Sequence, residues 1–221
     1  KKEGIISESY PLVHTDAIQA VNYCDINIAR LGIDMMTISG SKIYGPKSIG
    51  ALFVKNKTLI DPIIFGGAQE SGLRSGTEDS AMVAGFAKAL QTSQDIKETE
   101  VERLTKLRDF VIDELLKDER VTLNGSQTDR LPNNINVTVR GYSGESLVIQ
   151  LAEAGFAVSS KSACQSDSDE ESHVIAALRK ANGIIGNSEE GSLRITLGRS
   201  TKEKDVKRFW RSFQTILDNI I

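Results

Sequence analysis

Cysteine is scarce. The 221 residues hold two, Cys24 and Cys164, far apart and without a CxxC or Cys/His ligand spacing. That excludes a disulfide scaffold and a zinc ribbon, leaves no metal-ligand set in view, and fits a reducing cytosol. Long apolar runs are missing too. None approaches the roughly 18 residues of a membrane span, and Ile33 to Ile38 is the kind of short run that reads as a buried strand. Nor is there an excess of positive charge. Lys+Arg 27 against Asp+Glu 30 leaves a net charge of -3, without the basic footprint of a general nucleic-acid binder. The first residues, Lys1-Lys2-Glu3-Gly4, lack an apolar signal core and an initiating Met. The chain is therefore expected to be a piece of something larger, or to have lost its start.

What is present is an ordinary soluble composition, 39% hydrophobic and 26% charged, at a length of about one and a half domains. Leu12–Thr15 reads as a strand end, and Ile33–Ile38 and Ile49–Val54 as two further strands. A Gly-rich segment, Phe65–Gly76, precedes helical periodicity over Ser80–Leu90. Strands and helices in this order predict an α/β sheet layer. Gln91–Glu100 is polar and without strong pattern, so a boundary is placed there. Val101, Leu104, Leu107, Val111 and Leu115 then repeat at helical spacing through Lys117. Beyond them the pattern predicts strands at Asn134–Val139, Phe156–Ser159 and Leu193–Leu197. It also predicts helices at Glu145–Ala154, near His173–Ala181 and from Lys202 to about Leu217. This is a second, smaller α/β unit. The acidic run Asp167–Glu171 reads as a solvated loop.

Ser39-Gly40-Ser41-Lys42-Ile43-Tyr44-Gly45-Pro46-Lys47-Ser48 follows a predicted strand and nearly matches G-x-x-x-x-G-K-[ST]. Pro46 breaks the match, because it shifts the lysine and offers no N–H to a phosphate cradle. The other reading concerns Lys42. A lysine in a small, hydroxyl-rich turn at a strand end suits Schiff-base chemistry, provided its amine loses a proton easily when partly desolvated. Ser39 and Ser41 would donate hydroxyls to a nearby phosphate. The plain alternative is an exposed turn lysine. Upstream, His14-Thr15-Asp16-Ala17-Ile18-Gln19 sets a carboxylate at a strand end with an amide three residues on. A carboxylate buried at that edge needs a partner, and a pyridinium nitrogen is one; the alternative for Asp16 is a helix N-cap. Cys164 has small, polar neighbours, the setting of an exposed loop thiol rather than of core. Cys24, beside Tyr23, reads as a buried small hydrophobe on a helix flank.

Those segments together resemble the cysteine desulfurases, pyridoxal-phosphate (PLP) enzymes of the class V aminotransferase group. The resemblance continues through Gly66-Gly67-Ala68-Gln69-Glu70-Ser71-Gly72-Leu73-Arg74-Ser75-Gly76-Thr77, Val158–Cys164 and Ser192–Arg199. It implies the PLP-dependent transferase fold of type I, an α/β fold. Residues 1–95 would be the C-terminal part of the large PLP-binding domain, and 96–221 a small C-terminal domain with the cysteine loop. It implies that Lys42 holds PLP, that Asp16 pairs with the pyridine nitrogen and Gln19 with the ring oxygen, and that Ser39 and Ser41 stand at the phosphate. Thr77 would reach the phosphate of the neighbouring subunit in a homodimer. Arg194 would clamp the carboxylate of L-cysteine, and Cys164 would take its sulfur as a persulfide, leaving alanine. The loop after Cys164 resembles the subgroup that serves iron–sulfur cluster assembly and tRNA thiolation. A cytoplasmic enzyme with a sulfur-acceptor or scaffold protein as partner is thus implied, with neither nucleic acid nor membrane.

Three positions depart from the family. Ser41 stands where the family has a phosphate-contacting His, Lys161 where it has Gly, and Ser48 where it has Gly after Gly-Pro-Lys. A side chain at 161 restricts φ, although a cation there would favour the Cys164 thiolate. Family members are about double this length, and the match is to their second half. The missing part would carry a phosphate loop and a ring-stacking His, which neither His14 nor His173 matches. His14 reads as structural and His173 as a helix start. The chain alone is expected to be inactive. Two alternatives stand beside the desulfurase reading: a degenerate, non-catalytic subunit or interaction module, and another class V lyase or transaminase.

Overall fold

A computed structural model describes residues 11–160, 172–181 and 191–219. The chain divides into two compact units after Glu98.

The first unit is built on a three-stranded sheet. Strand β1 (His14–Asp16) runs parallel to β2 (Met35–Ser39), with Asp16 opposite Thr37. Strand β3 (Gly50–Val54) pairs antiparallel to β2, with Ser39 opposite Gly50. Helix α1 (Ile28–Leu31) lies in the crossover between β1 and β2. Asn27 caps it by accepting from the Arg30 N–H, and Gly32 closes it in the left-handed region at φ 64°. Helix α2 (Ser80–Asp95) is capped by Asp79, whose side chain accepts from the Met82 N–H at 3.0 Å. It packs on a 3-10 turn, Gly40–Ile43, through Phe86, which shares a buried cluster with Val21 and Ile43. Ala17, Ile33 and Met36 form a second cluster. Gly40 is needed in that turn: a Cβ there would lie 2.8 Å from the Pro46 carbonyl oxygen and 2.9 Å from Ile49.

The polar stretch 91–100 is helical rather than patternless, which corrects the expected end of α2 at Leu90. The helix continues to Asp95, and a second, α3 (Lys97–Leu115), begins two residues later. Burial explains the extension. Ser93 is 1% exposed, and Gln94 Nε2 donates to the Val21 carbonyl at 2.9 Å, so this polar turn serves a protein surface rather than solvent.

The second unit has an antiparallel sheet in the order β4 (Val121–Leu123), β5 (Asn134–Val139), β6 (Ser192–Thr196). Alternation sorts its faces. Ile135, Val137, Leu193 and Ile195 are buried, while Asn134, Asn136 and Arg194 point the other way and stay partly open. Around the sheet are α3, α4 (Gly144–Glu153), α5 (His173–Ala181) and α6 (Glu203–Asp218). Leu104, Ile112 and Leu115 of α3, Leu147 and Leu151 of α4, and Phe213 of α6 are completely enclosed. Burying each such side chain contributes about 1.5–3 kcal/mol.

Phe156–Ser159 is not a strand, against expectation. Only Ser159 pairs, as an isolated bridge to Arg194. Phe156 instead packs edge-on against Phe209 at 5.4 Å, and its N–H closes the end of α4 on the Leu151 carbonyl at 2.8 Å. An aromatic anchor and a helix cap hold the segment where a ladder was expected. Strand β4 carries too few alternating residues to have stood out in the sequence.

Candidate active site

The parallel register brings the expected residues of the first unit to one edge. Asp16 ends β1 opposite Thr37, and Ser39 ends β2 two residues further on. The carboxyl ends of parallel strands are where open α/β sheets hold ligands. Asp16 differs from expectation in being exposed rather than buried, at the end of β1, which is an edge strand of its sheet. Nor is it a helix N-cap. Its Oδ1 accepts from the Ile18 N–H at 2.9 Å, folding the chain into turns that carry Gln19, also exposed. His14 Nε2 lies 2.8 Å from Thr37 Oγ1, a contact between the two strands.

After Ser39 the chain enters the 3-10 turn that carries Lys42. Gly45 N–H closes this turn on the Gly40 carbonyl at 2.9 Å, and Tyr44 adopts a left-handed conformation at φ 63°. Ile43 is fully buried on the α2 side. The Lys42 carbonyl is held by Asn22, whose Nδ2 donates to it at 2.7 Å. Lys42 itself is exposed, as is Ser41. Ser39 Oγ and Ser41 Oγ lie 3.2 Å apart, so two hydroxyls cluster beside the lysine turn. Ser48 also adopts φ 63°, a left-handed conformation that favours glycine. Thr77 is exposed in the loop before α2, and no hydrogen bond joins it to the others among the described residues. Cys24 corrects the sequence reading: it is half-buried and lies in a turn, its carbonyl taken by Lys97 Nζ at 3.3 Å. Sequence reasoning missed Asn22. Its signal was a polar amide within Ala20-Val21-Asn22-Tyr23-Cys24, where the neighbours are apolar.

In the second unit, a cleft of about 390 Å³ opens on the polar face of the sheet. Its walls include Asn124, Arg130, Asn136, Ser160, Ser192 and Arg194. The two arginines differ. Arg130 donates to the carbonyls of Asn124, Ser126 and Asn134, so it is committed to holding the 124–134 loop. Burial, aided by the charge of Arg108, holds its pKa below the usual arginine value. The Arg194 guanidinium has no hydrogen-bond or ion-pair partner among the described residues. Its backbone is fixed on both sides, paired with Asn136 in the β5–β6 ladder and with Ser159 beyond. His173 opens α5, as the sequence reading had it. Cys164, Lys161 and the acidic run Asp167–Glu171 lie outside the described residues.

Comparison with known proteins adds the family. Residues 4–209 match the sequence profile described as aminotransferase class-V. The chain is 40% identical over 217 residues to the cysteine desulfurase IscS of Dictyoglomus turgidum, covering 97% of this chain and 54% of that protein. It is 42% identical over 204 residues to the cysteine desulfurase IscS of Methanosarcina thermophila, covering 92% and 50%. Among solved structures, a NifS-like protein superposes with a TM-score of 0.83 at 27% identity, over 95% of this chain and 53% of the other. A NifS-like protein from Rickettsia africae gives 0.82 at 30% identity, over 94% and 54%. The chain thus spans about half the length of the curated relatives it matches. With most of its length in the family profile and its α/β fold shared with NifS-like structures, this chain belongs to the class V aminotransferase family.

Proposed function

We propose that this chain is the lysine-bearing and sulfur-relaying part of a PLP-dependent cysteine desulfurase, which converts L-cysteine to L-alanine and holds the sulfur as an enzyme persulfide. The observation that carries the reading is the convergence of Asp16, Ser39, Ser41 and Lys42 at one carboxyl edge of a parallel strand pair. The IscS relatives, named as cysteine desulfurases, support the substrate. So does the structural neighbour described as SspA in complex with cysteine, with a TM-score of 0.62 at 30% identity over 84% of this chain and 50% of that one.

The donor set suits PLP. Asp16 offers an exposed carboxylate to the pyridine nitrogen, Gln19 an amide to the ring oxygen, the Ser39 and Ser41 pair hydroxyls to the phosphate, and Lys42 an amine to the aldehyde. When bound, PLP supplies an electron sink for negative charge at the substrate's α-carbon. The chain's own residues do the rest. Arg194, whose guanidinium has no partner among the described residues, pairs with the substrate carboxylate through two N–H donors. The Cys164 thiolate attacks the substrate sulfur. The carbon–sulfur bond breaks with its electron pair on carbon, a proton completes alanine, and the sulfur stays on Cys164. Thr77 serves the neighbouring subunit's phosphate in a homodimer, and a sulfur-acceptor or scaffold protein drains the persulfide towards iron–sulfur or tRNA-thiolation chemistry. No helix among the described residues is long and apolar enough to cross a membrane, and a cytoplasmic enzyme is the accompanying proposal.

Borohydride reduction of the intact protein with PLP, followed by peptide mass spectrometry, tests the reading. The expected result is an adduct on Lys42 that Lys42→Ala abolishes. An adduct confined to another lysine overturns the assignment, and failure to retain PLP at all favours the non-catalytic subunit.

A further inference from the structure

We propose that Asn22 is a positioning residue for Lys42, locked in place by Ser93. The inference deepens the proposed function and rests on its reading of Lys42. A short helical turn leaves its last carbonyls without intrahelical partners. In the turn Gly40–Ile43, the Lys42 carbonyl is one of them, and Asn22 Nδ2 satisfies it at 2.7 Å. A carbonyl can only accept, so the Asn22 amide must present its nitrogen to Lys42 and its oxygen away. Ser93 Oγ donates to that oxygen at 2.6 Å. Asn22 is 8% exposed and Ser93 1%, so water does not compete for either bond.

The chain of bonds runs from α2 through Asn22 to the backbone of the lysine. Ile43, fully buried against Val21 and Phe86, pins the next residue to the same side. With the Lys42 carbonyl and the Ile43 side chain both tied to the α2 side, the Lys42 side chain is left on the open side, beside Ser39 and Ser41. The 3-10 turn has few hydrogen bonds of its own, which makes this outside support the main restraint on where the amine starts. Neighbouring Gln94 provides a built-in control. It also reaches from α2 to this segment, but to the Val21 carbonyl at 2.9 Å and not to Lys42.

Hydrogen exchange by mass spectrometry on this chain tests the proposal without any cofactor. Asn22→Asp keeps the shape and the acceptor for Ser93 but loses the donor to Lys42. Peptides spanning 40–46 should exchange about tenfold faster in it, relative to the β5 peptide 134–139, since a buried carbonyl is left unpaired. Ser93→Ala should speed the same peptides by less, and Gln94→Leu should leave them near the parent rate. Lowering the pH to protonate the introduced carboxyl restores a donor and should recover protection. Unchanged exchange in Asn22→Asp overturns the proposal, as does equal acceleration by Gln94→Leu, which would show general loosening. A parallel arm in the intact protein traps PLP with borohydride and measures the Lys42 adduct against Lys47. Its yield should fall in Asn22→Asp. If the unsubstituted intact protein gives no Lys42 adduct, the functional reading of Lys42 falls, while the exchange arm still decides whether Asn22 positions the turn.

Discussion

Arg194 and Ser159 exchange both of their backbone hydrogen bonds, at 2.6 and 3.1 Å, in a single bridge at the open side of β6. The arginine expected to hold the substrate is therefore joined directly to the segment that leads, five residues later, to Cys164. Its side chain has no hydrogen-bond or ion-pair partner among the described residues. Arg194→Ala in the intact protein should thus raise KM for L-cysteine by about tenfold or more, as expected on losing a charge-assisted pair. The unfolding free energy should stay within about 0.5 kcal/mol of the parent, as for a partly open residue. Steady-state kinetics and urea titration check both halves. A large loss of stability with unchanged KM would assign Arg194 to structure instead.

In the proposed reaction, Cys164 separates the two half-reactions. Cys164→Ser should retain PLP and bind L-cysteine, with the spectral shift that binding brings, yet release no sulfide under reductant. A serine oxygen cannot accept sulfur as a persulfide. Sulfide release at the parent rate would make Cys164 a bystander and remove the desulfurase assignment.

Periodicity makes much of the second unit legible in the sequence. Asn134–Val139 alternates and is a strand, and the regular apolar spacing of Val101–Leu115 lies within α3. Where tertiary contacts override local pattern, the reading failed. Ser93 and Gln94 look like solvent-facing helix end but are drawn against Val21 and Asn22, so α2 runs on. Phe156 has strand propensity but finds Phe209 rather than a ladder. At the site, the positions were legible because Asp16 and Ser39 end strands and Lys42 sits in the turn that follows β2. The exposure of Asp16 was not, since it depends on β1 lying at the edge of its sheet.

Ser48 tests a single backbone angle. At φ 63° a non-glycine residue pays a steric cost of about 1–2 kcal/mol. Glycine removes that cost but adds about 0.5–1 kcal/mol of unfolded-chain entropy. Ser48→Gly should therefore stabilise the first unit by up to about 1 kcal/mol, read as a higher urea midpoint. A lower midpoint would mean that the serine side chain makes contacts worth more than the strain.

Asp118 gives a pH dependence in the second unit. Hydrogen bonds from the Arg120 side chain, the closest at 2.6 Å, hold its carboxyl below the usual range, and Arg120 Nη1 carries on to the Leu217 carbonyl at 2.8 Å. A depressed folded pKa adds stability above the unfolded value and loses it as pH falls through the folded one. The window therefore lies below about pH 4. Solvent reaches both partners, so the contribution is under about 1 kcal/mol. Asp118→Asn should be less stable than the parent at pH 7 and approach it at pH 3. A constant gap across that range would locate the effect in packing rather than charge.

Ser41 tests the proposed phosphate site. Its hydroxyl, 3.2 Å from that of Ser39, is a short and neutral donor at an exposed position. Ser41→His in the intact protein introduces a longer donor that is positive when protonated, facing a dianionic phosphate. Hydrogen bonds to charged groups contribute about 1.5–3 kcal/mol when desolvated. At this open edge the gain should fall near the lower end, so PLP should bind roughly tenfold more tightly, about 1.4 kcal/mol. Equilibrium titration of PLP into both apo-proteins measures it, and the difference should shrink as pH rises and the imidazole loses its charge. Equal affinities at every pH would show that the paired hydroxyls already suffice. Weaker binding by the histidine variant would show a pocket reshaped around serine, and that outcome would favour a non-catalytic subunit over a desulfurase.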